Sequence, residues 1–284
     1  MRIKSRLTIL MLTAILVWIY NFSAVPTFEN TIDSELCSEI RLPIIMYHAF
    51  LNDEKTHGKF VISPAQFEED IKYILENGYV PIGINDLIAY TSGEATPPEK
   101  PIMITIDDGY YNNYLYAFPI LKKYNTKAVI SPIMKYSELY SQHEENNAYY
   151  SHITWQQGRE MIESNLIEFQ NHTYDMHSTN ERGGIKRKPG ESLDEYQKIL
   201  YSDLYKAHNM IKDDFGFVPK AIVYPFGYYG KDAEKVIQQI GYTVSLSCEE
   251  GINNISPGDS LYMLKRYNRP HGKNAKDFFK NILK

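Results

Sequence analysis

The chain has 284 residues, of which 35 are acidic and 30 are basic, and its formal net charge is −5. This length allows one large domain or two small ones with a substantial core. The net negative charge argues against a nucleic-acid-binding protein, because such binding relies on basic side chains that neutralise phosphates. The 24 tyrosines and 12 phenylalanines weakly favour contact with sugars, since aromatic faces commonly pack on sugar rings.

The N-terminus has the pattern of an export segment. Three basic residues, Arg2, Lys4 and Arg6, precede an uncharged and largely apolar stretch over residues 7–28. This order is typical of a signal peptide, but the stretch is also close to the ~20 residues that span a bilayer. Small residues two apart do not mark a cleavage site, since Ala24 has Phe22 at that offset. We therefore expect residues 1–28 to be an uncleaved anchor rather than a removed signal peptide, with the remainder working outside the membrane.

The rest of the chain alternates apolar strands with amphipathic helices. A polar linker is expected over residues 29–40 and one domain over residues 41–284. Strands are predicted over residues 42–47, 79–82, 101–106, 128–130, 166–169, 221–224 and 244–246. Helices are predicted over residues 63–78, 85–90, 113–124, 232–240 and 275–283 and from Thr154 and Ser192, with capping boxes pairing Ser63 with Gln66, Thr154 with Gln157 and Ser192 with Glu195.

These units predict the fold class. About seven strand-then-helix units without a break in composition indicate a single α/β domain with a mainly parallel sheet, most simply a (β/α) barrel. Two polar segments, residues 136–150 and 179–191, interrupt the alternation. We expect both to be surface loops that face a substrate.

Two adjacent carboxylates, Asp107 and Asp108, follow the apolar run over residues 101–106, which is typical of a buried strand. Removing an ionised carboxylate from water is unfavourable unless a positive partner compensates. We therefore expect both side chains to lie just past the strand end, beside a positive group. The alternative is an ordinary Asp-Asp-Gly turn, because Asp and Gly are common turn residues.

Four predicted strand ends carry side chains suited to catalysis. In a (β/α) barrel the active-site residues collect at the C-terminal ends of the strands. The four ends are Tyr47-His48, Asp107-Asp108-Gly109, the segment over residues 170–177 and the segment over residues 224–227.

His172 and His177 point to a metal site. They lie too far apart to share one helix face, but they can converge on a loop. Two imidazoles and one carboxylate are a common ligand set for a catalytic divalent ion that keeps a position open for water. Asp108 is then the third ligand, and Asp107 remains free to take a proton from that water. The alternative is two unrelated loop histidines in a chain that contains eight.

These motifs resemble those of the polysaccharide deacetylases, the NodB-type carbohydrate esterases of family 4. Asp107-Asp108-Gly109 with Thr105 is similar to the first family signature, the segment from His172 to His177 to the second, and Tyr224-Pro225-Phe226-Gly227 to the third. The spacing of the histidines is one residue longer than usual. With the early Met46-Tyr47-His48, this longer spacing is more similar to the branch that de-N-acetylates poly-β-1,6-N-acetylglucosamine at the cell surface.

The resemblance implies a fold, a reaction and a role for each residue. The fold is a distorted (β/α)7 barrel, and the reaction is metal-assisted hydrolysis of an N-acetyl group on an aminosugar polysaccharide. Asp107 would be the base, and Asp108, His172 and His177 would bind the metal. Phe226 replaces a tyrosine whose backbone N–H helps to hold the oxyanion, and a backbone donor survives that change.

Two departures from the family pattern concern charged groups. An arginine that often orients the base is replaced by Val223, and Arg266 is the candidate to supply the missing charge. The late histidine that serves as general acid in the family is absent. We expect His48 to replace it, with His271 as the alternative acid and a strand-end histidine without a catalytic role as the alternative for His48.

We therefore expect an exported, membrane-anchored or secreted deacetylase that acts as a monomer on an acetylated aminosugar polysaccharide. Zn²⁺ is the expected metal, with Co²⁺, Ni²⁺ or Fe²⁺ also suited to the ligand set. A non-catalytic glycan-binding protein of the same fold and an amidohydrolase acting on a small non-sugar amide remain alternatives. Poly-N-acetylglucosamine, peptidoglycan and chitin-like oligomers are all open as substrates. Cys37 and Cys248 either form a disulfide or remain two free thiols.

Overall fold

Parallel strands form the centre of the fold, as the alternation of strands and helices predicts. The computed structural model describes residues 39–143, 145–180 and 182–283. The strands are β1 (Ile40–Leu42), β2 (Ile44–Tyr47), β3 (Ala49–Phe50), β4 (Val61–Ile62), β5 (Val80–Pro81), β6 (Pro101–Asp108), β7 (Ala128–Pro132), β8 (Ile167–Phe169), β9 (Ala221–Val223), β10 (Val244–Leu246), β11 (Asn253–Ile255), β12 (Leu261–Leu264) and β13 (Tyr267–Asn268). The helices are α1 (Pro64–Glu76), α2 (Ile84–Thr91), α3 (Phe118–Lys123), α4 (Met134–Gln142), α5 (Trp155–Glu163), α6 (Leu193–Met210), α7 (Glu234–Ile240) and α8 (Ala275–Phe279).

Two parallel sheets surround the core. The larger sheet has the order β13-β2-β6-β7-β8, and β5 also pairs with β6. The smaller sheet has the order β12-β10-β9, and a parallel bridge between Asn171 and Ile222 links the end of β8 to β9. Each of the seven predicted strands has a counterpart in these two sheets. The parallel strands and their connecting helices are consistent with the predicted distorted barrel.

Side-chain caps start the helices largely where the sequence predicts them. Thr154 and Gln157 form a complete capping box at α5, and Ser192 and Glu195 form one at α6. At α1 only half of the box is present, because Ser63 accepts the backbone N–H of Gln66 while the Gln66 side chain donates to the carbonyl of Pro270. Both the caps and the apolar faces are local signals, so the sequence specifies these helices well.

The structure corrects three expectations. Strand β6 continues through Asp107 and Asp108 instead of ending before them, and all of its residues are buried. The segment over residues 136–150 is helical in its first part, because α4 extends to Gln142. The C-terminal part contains β11, β12 and β13, which the sequence analysis did not predict.

The predicted anchor over residues 1–28, most of the predicted linker and Cys37 lie outside the described residues. Within the described residues, the structure contains no helix that is both long enough and apolar enough to cross a membrane.

A buried ion pair fixes α1 against the chain that follows β13. Arg269 donates to both carboxylate oxygens of Asp70, with Nε–Oδ2 and Nη2–Oδ1 distances of 2.7 and 2.8 Å. The Tyr47 hydroxyl donates to the same carboxylate at 3.1 Å. Both charged side chains are fully buried, and burial raises the pKa of Asp70 even with the guanidinium beside it. Loss of one partner from a buried ion pair of this kind strongly lowers the stability of a protein.

We expect Arg269→Ala to lower the free energy of unfolding by about 3–5 kcal/mol, because Asp70 would keep a buried charge without its cation. Urea denaturation followed by circular dichroism measures the change. Lys198→Ala is the control, since it removes an exposed pair with Asp194 and should change stability little. Equal losses of unfolding free energy in the two variants would contradict the conclusion that burial makes the Asp70–Arg269 pair important for stability.

Candidate active site

Three side chains from two strand ends form a compact cluster of metal-ligand type. Asp108 ends β6, and His172 and His177 lie on the segment that follows β8. Their ligand atoms all lie within 4.8 Å of one another. Asp108 Oδ1 is 3.3 Å from His177 Nε2 and 3.6 Å from His172 Nε2. That oxygen is buried and has no hydrogen-bond partner among the described residues. The donor set and this unsatisfied oxygen both fit a divalent cation.

The charges of the cluster depend on each other. Burial alone would raise the pKa of Asp108, but the neighbouring imidazoles, above all His172, hold that pKa below its usual range. Burial lowers the pKa of His177 to about 4, and His172 adds to this effect. The His172 Nδ1 lies 2.8 Å from the carbonyl oxygen of Val223, a contact that fixes the ring and leaves Nε2 facing Asp108.

Three non-glycine residues around the cluster have left-handed backbone conformations. The φ values of Asp108, Thr173 and Phe226 are +70°, +74° and +58°. Such conformations cost on the order of 1–3 kcal/mol each and persist where the surrounding structure holds them. Half of the six described non-glycine residues with a positive φ thus lie around one cluster, which is typical of a functional site.

Asp107 has a separate positive partner. Arg266, between β12 and β13, donates from Nη1 to Asp107 Oδ1 at 2.8 Å. Its Nε donates to the carbonyl of Ser247 at 2.8 Å, and Nη1 also donates to the Thr105 hydroxyl at 3.2 Å. Burial would raise the pKa of Asp107, but Arg266 reverses this and holds the pKa below its usual value. The structure therefore brings Arg266 to the carboxylate that the sequence analysis paired it with.

The two candidate acids occupy different places. His48 lines the same cleft as Asp107 and Asp108, and its ring packs against Phe60 with the ring centroids 4.7 Å apart. Burial lowers the pKa of His48, while the two carboxylates act against that shift. His271 is instead exposed, with Nδ1 3.1 Å from Gln66 Oε1. It is not among the residues that line the cleft.

The cleft around the cluster has a volume of about 530 Å³ and an aromatic rim. Phe60, Tyr149, Phe226 and Tyr228 line it and are 46%, 56%, 40% and 43% exposed. The centroids of the Phe226 and His177 rings lie 4.4 Å apart. Lys59, Cys248 and Glu250 also line the cleft.

The sequence analysis did not identify three of these aromatic residues. Tyr149 lies in one of the two segments expected to face a substrate, so its place near a substrate was indicated by the sequence. No sequence pattern indicated that Phe60 or Tyr228 would line the cleft. The other such segment, residues 179–191, borders a neighbouring cavity of about 680 Å³ through Arg182, Gly184 and Lys188. No described residue of that segment lines the cleft around the cluster.

Comparison with known proteins identifies the family. A family model described as polysaccharide deacetylase matches residues 94–245, which is more than half of the chain. The chain belongs to the polysaccharide deacetylase family. The matched range contains Asp107, Asp108, both histidines of the cluster and Phe226, and it ends before Arg266.

Individual relatives agree with this assignment. The poly-β-1,6-N-acetyl-D-glucosamine N-deacetylase of Escherichia coli is 26% identical over 255 residues, which cover 82% of this chain and 37% of that protein. The Staphylococcus aureus protein of the same name is 26% identical over 217 residues, which cover 76% of this chain and 70% of the relative. This chain therefore spans well under half of the E. coli relative.

A solved structure supports the fold. The de-N-acetylase of Aggregatibacter actinomycetemcomitans superimposes with a TM-score of 0.73 at 25% identity, covering 85% of this chain and 99% of that one. The predicted α/β fold of the NodB type is thus confirmed.

Gly109 offers a test of how closely β6 and β7 must approach at the site. It has a φ of +71°, and an added Cβ would lie 2.5 Å from Pro132 Cβ. We expect Gly109→Ala to lower the free energy of unfolding by about 2–5 kcal/mol, from left-handed strain plus overpacking. The variant should also weaken the binding of a divalent cation by the cluster, because Asp108 is the preceding residue. Urea denaturation and chelator competition measure the two effects.

Gly78→Ala is the matched control, because Gly78 has a φ of +77° with open space around its Cβ position. It should lose only the free energy due to left-handed strain, about 1–2 kcal/mol, and leave cation binding by the cluster unchanged. Equal losses of stability in the two variants would show that contact with Pro132 is unimportant.

Proposed function

We propose that this protein is a metal-dependent N-deacetylase of an acetylated aminosugar polysaccharide. One observation carries the proposal: a single cleft holds a carboxylate grouped with two imidazoles and, next to it in sequence, a second carboxylate held by a buried arginine. This arrangement supplies a place for a cation and an ionised base that does not bind it. Membership of the polysaccharide deacetylase family supports the same reaction.

Asp108, His172 and His177 would hold the metal, with Zn²⁺ as the first choice and Co²⁺, Ni²⁺ or Fe²⁺ as alternatives. When bound, such a cation acidifies water and polarises a carbonyl group. The residues fit it because two imidazole nitrogens and one unsatisfied carboxylate oxygen face one another. Metal dependence itself is part of the proposal.

The chain's own residues supply the proton transfers. Asp107 accepts a proton from the water that adds to the acetamido carbonyl, and Arg266 keeps this carboxylate ionised and oriented. The backbone N–H of Phe226 donates to the oxyanion that forms. His48 donates a proton to the amide nitrogen as the carbon–nitrogen bond breaks. The products are acetate and a free amine on the sugar.

The rim of the cleft supports a polymeric substrate. Exposed aromatic side chains on several segments can pack on sugar rings on either side of the reacting unit. The relatives from E. coli and S. aureus are named poly-β-1,6-N-acetyl-D-glucosamine N-deacetylases, which favours that polymer over peptidoglycan. The export pattern of residues 1–28 favours action at the outer face of the membrane, either anchored there or after secretion, and we propose a monomer.

The position of Arg266 bears on the glycan-binding alternative. That alternative depended on two missing groups, a base-orienting arginine and a late histidine. Arg266 contacts Asp107 from a different strand end, and His48 lines the cleft. Neither departure therefore favours a protein that binds glycans without acting on them.

We expect the full-length chain to release acetate from poly-β-1,6-N-acetylglucosamine and to lose this activity with a chelator, regaining it with Zn²⁺. Asp107→Asn should keep stoichiometric Zn²⁺ but lower kcat by at least about 100-fold. Asp108→Ala should lose both Zn²⁺ and activity. Peptidoglycan and chitin oligomers assayed in parallel identify the substrate.

Asp70→Asn is the matched control, since it disrupts another buried Asp–Arg pair outside the cleft. It should lower stability and leave kcat nearly unchanged. Full activity of Asp107→Asn would refute the assigned base. Stoichiometric Zn²⁺ without acetate release from any of the three polymers would instead support the glycan-binding alternative.

The general acid is tested by a pair of histidine variants. We expect His48→Gln to lower kcat by about 10²–10⁴-fold with Zn²⁺ affinity unchanged, because the leaving amine would lack a proton donor. His271→Gln should remain within twofold of the unmodified protein, since that side chain contacts Gln66 away from the cleft. Acetate release over a range of pH measures both. The reverse result would assign the acid to His271.

A further inference from the structure

The segment between the two cluster histidines is held by side chains rather than by regular secondary structure. Within the segment, Thr173 N–H donates to Asn171 Oδ1 at 2.7 Å, and Met176 N–H donates to the Thr173 hydroxyl at 3.1 Å. Two further backbone N–H groups, those of Tyr174 and Asp175, lie between these bonds. They must find acceptors elsewhere, because an unpaired backbone donor is unfavourable.

Asp203, on α6, accepts both. The Tyr174 N–H donates to Asp203 Oδ1 at 2.9 Å, and the Asp175 N–H donates to Asp203 Oδ2 at 2.8 Å. On the opposite side of the peptide chain, the carbonyl groups of Thr173 and Tyr174 accept the N–H groups of Met134 and Lys135, each at 3.1 Å. The segment is thus held by hydrogen bonds to α6 and to the start of α4.

These hydrogen bonds hold the part of the segment whose backbone conformation is strained. Thr173 is β-branched and has a φ of +74°, a conformation that such a residue rarely adopts. Hydrogen bonds from α6 and from the start of α4 hold the neighbours of this strained residue and limit the conformations open to the segment.

We propose that Asp203 is a positioning residue that fixes the separation of the His172 and His177 imidazoles for metal binding. The inference rests on the proposed function in one respect, namely that these two histidines hold a cation. Asp203 itself is not among the residues that line the cleft and need not touch substrate.

The charge of Asp203 suits this role. Burial raises its pKa to about 6, with the two N–H donors acting against that shift and Asp175 adding to it. The group is therefore a carboxylate at neutral pH and offers an acceptor oxygen to each N–H. An asparagine has one carbonyl oxygen and would turn an NH₂ group towards the second donor.

A matched control exists elsewhere in the fold. Glu168, on β8, also accepts two successive backbone N–H groups, those of Ile84 and Asn85 at the start of α2, with distances of 2.9 and 3.2 Å to Oε2. Burial raises the pKa of this carboxyl too. Glu168→Gln therefore weakens the same kind of anchor, but at the start of α2. Gln170, which donates to Glu168 Oε2 at 3.4 Å, keeps its own side-chain oxygen on the N–H groups of Lys220 and Ala221.

The test measures Zn²⁺ affinity of the full-length chain by chelator competition, together with thermal stability in excess chelator. Asp203→Asn should weaken Zn²⁺ binding about 10–100-fold, the range typical for groups that orient metal ligands. Glu168→Gln should lower the melting temperature to a similar degree but bind Zn²⁺ as the unmodified protein does. Asp203→Glu, which keeps both acceptor oxygens, should recover part of the affinity.

Amide hydrogen exchange of the unmodified protein gives a second measurement that does not depend on a variant folding. The Tyr174 and Asp175 amides should exchange slowly and become slower still with Zn²⁺. Unchanged Zn²⁺ affinity in Asp203→Asn, or fast exchange of these amides in the unmodified protein, would overturn the inference. An unmodified protein that binds no Zn²⁺ would overturn the proposed metal site as well, whereas Zn²⁺ binding without acetate release would overturn only the proposed deacetylase function.

Discussion

The ion pair between Asp107 and Arg266 is the interaction on which the rest of the site depends. Strand β6 is buried along its whole length and ends in two adjacent carboxylates, so each needs a compensating positive group. Arg266 lies between β12, which pairs with β10, and β13, which pairs with β2 next to β6, and this placement brings its guanidinium to Asp107. The pairing of β13 with β2 therefore also helps to place the cation that lowers the pKa of Asp107. Loosening of the C-terminal segment would remove the cation beside Asp107 and would also displace Asn268, which lines the cleft.

Backbone strain lets two neighbouring side chains serve one cleft. Successive residues on a regular strand point to opposite faces of the sheet, which would send Asp107 and Asp108 in different directions. Asp108 leaves the extended region with a φ of +70°, and Gly109 follows with +71°. Both carboxylates consequently line the same cavity, one against Arg266 and one against two imidazoles. The turn at Asp108 therefore gives the carboxylate that we propose as a metal ligand different neighbours from the one that we propose as the base.

Much of the fold could be predicted because its signals are local. Apolar runs mark the central strands, and Thr154 and Ser192 start their helices within a residue of the predicted position. Short strands such as Tyr267–Asn268 lack such a signal, since their pairing with β2 comes from tertiary contact. The grouping of Asp108 with His172 and His177 could be predicted from motif residues. The bond between Asp107 and Arg266 joins positions 159 residues apart and could only be suggested. Asp203 belongs to no motif, and only the structure shows the two N–H groups that it accepts.

The charge balance of the cleft connects the metal proposal with the reaction. Asp107 and Asp108 carry two negative charges, and the buried guanidinium of Arg266 carries one positive charge. Burial keeps His177 neutral, whereas Asp108 and Asp107 raise the pKa of His172 against the effect of burial, so that the charge of the cleft without a cation depends on a proton at His172. Two carboxylates beside the reacting group would oppose the developing oxyanion of a hydrolytic step. A divalent cation held by Asp108 and the two histidines would take the place of that proton and carry one more positive charge, so that the arrangement that binds the cation would also stabilise negative charge on the substrate.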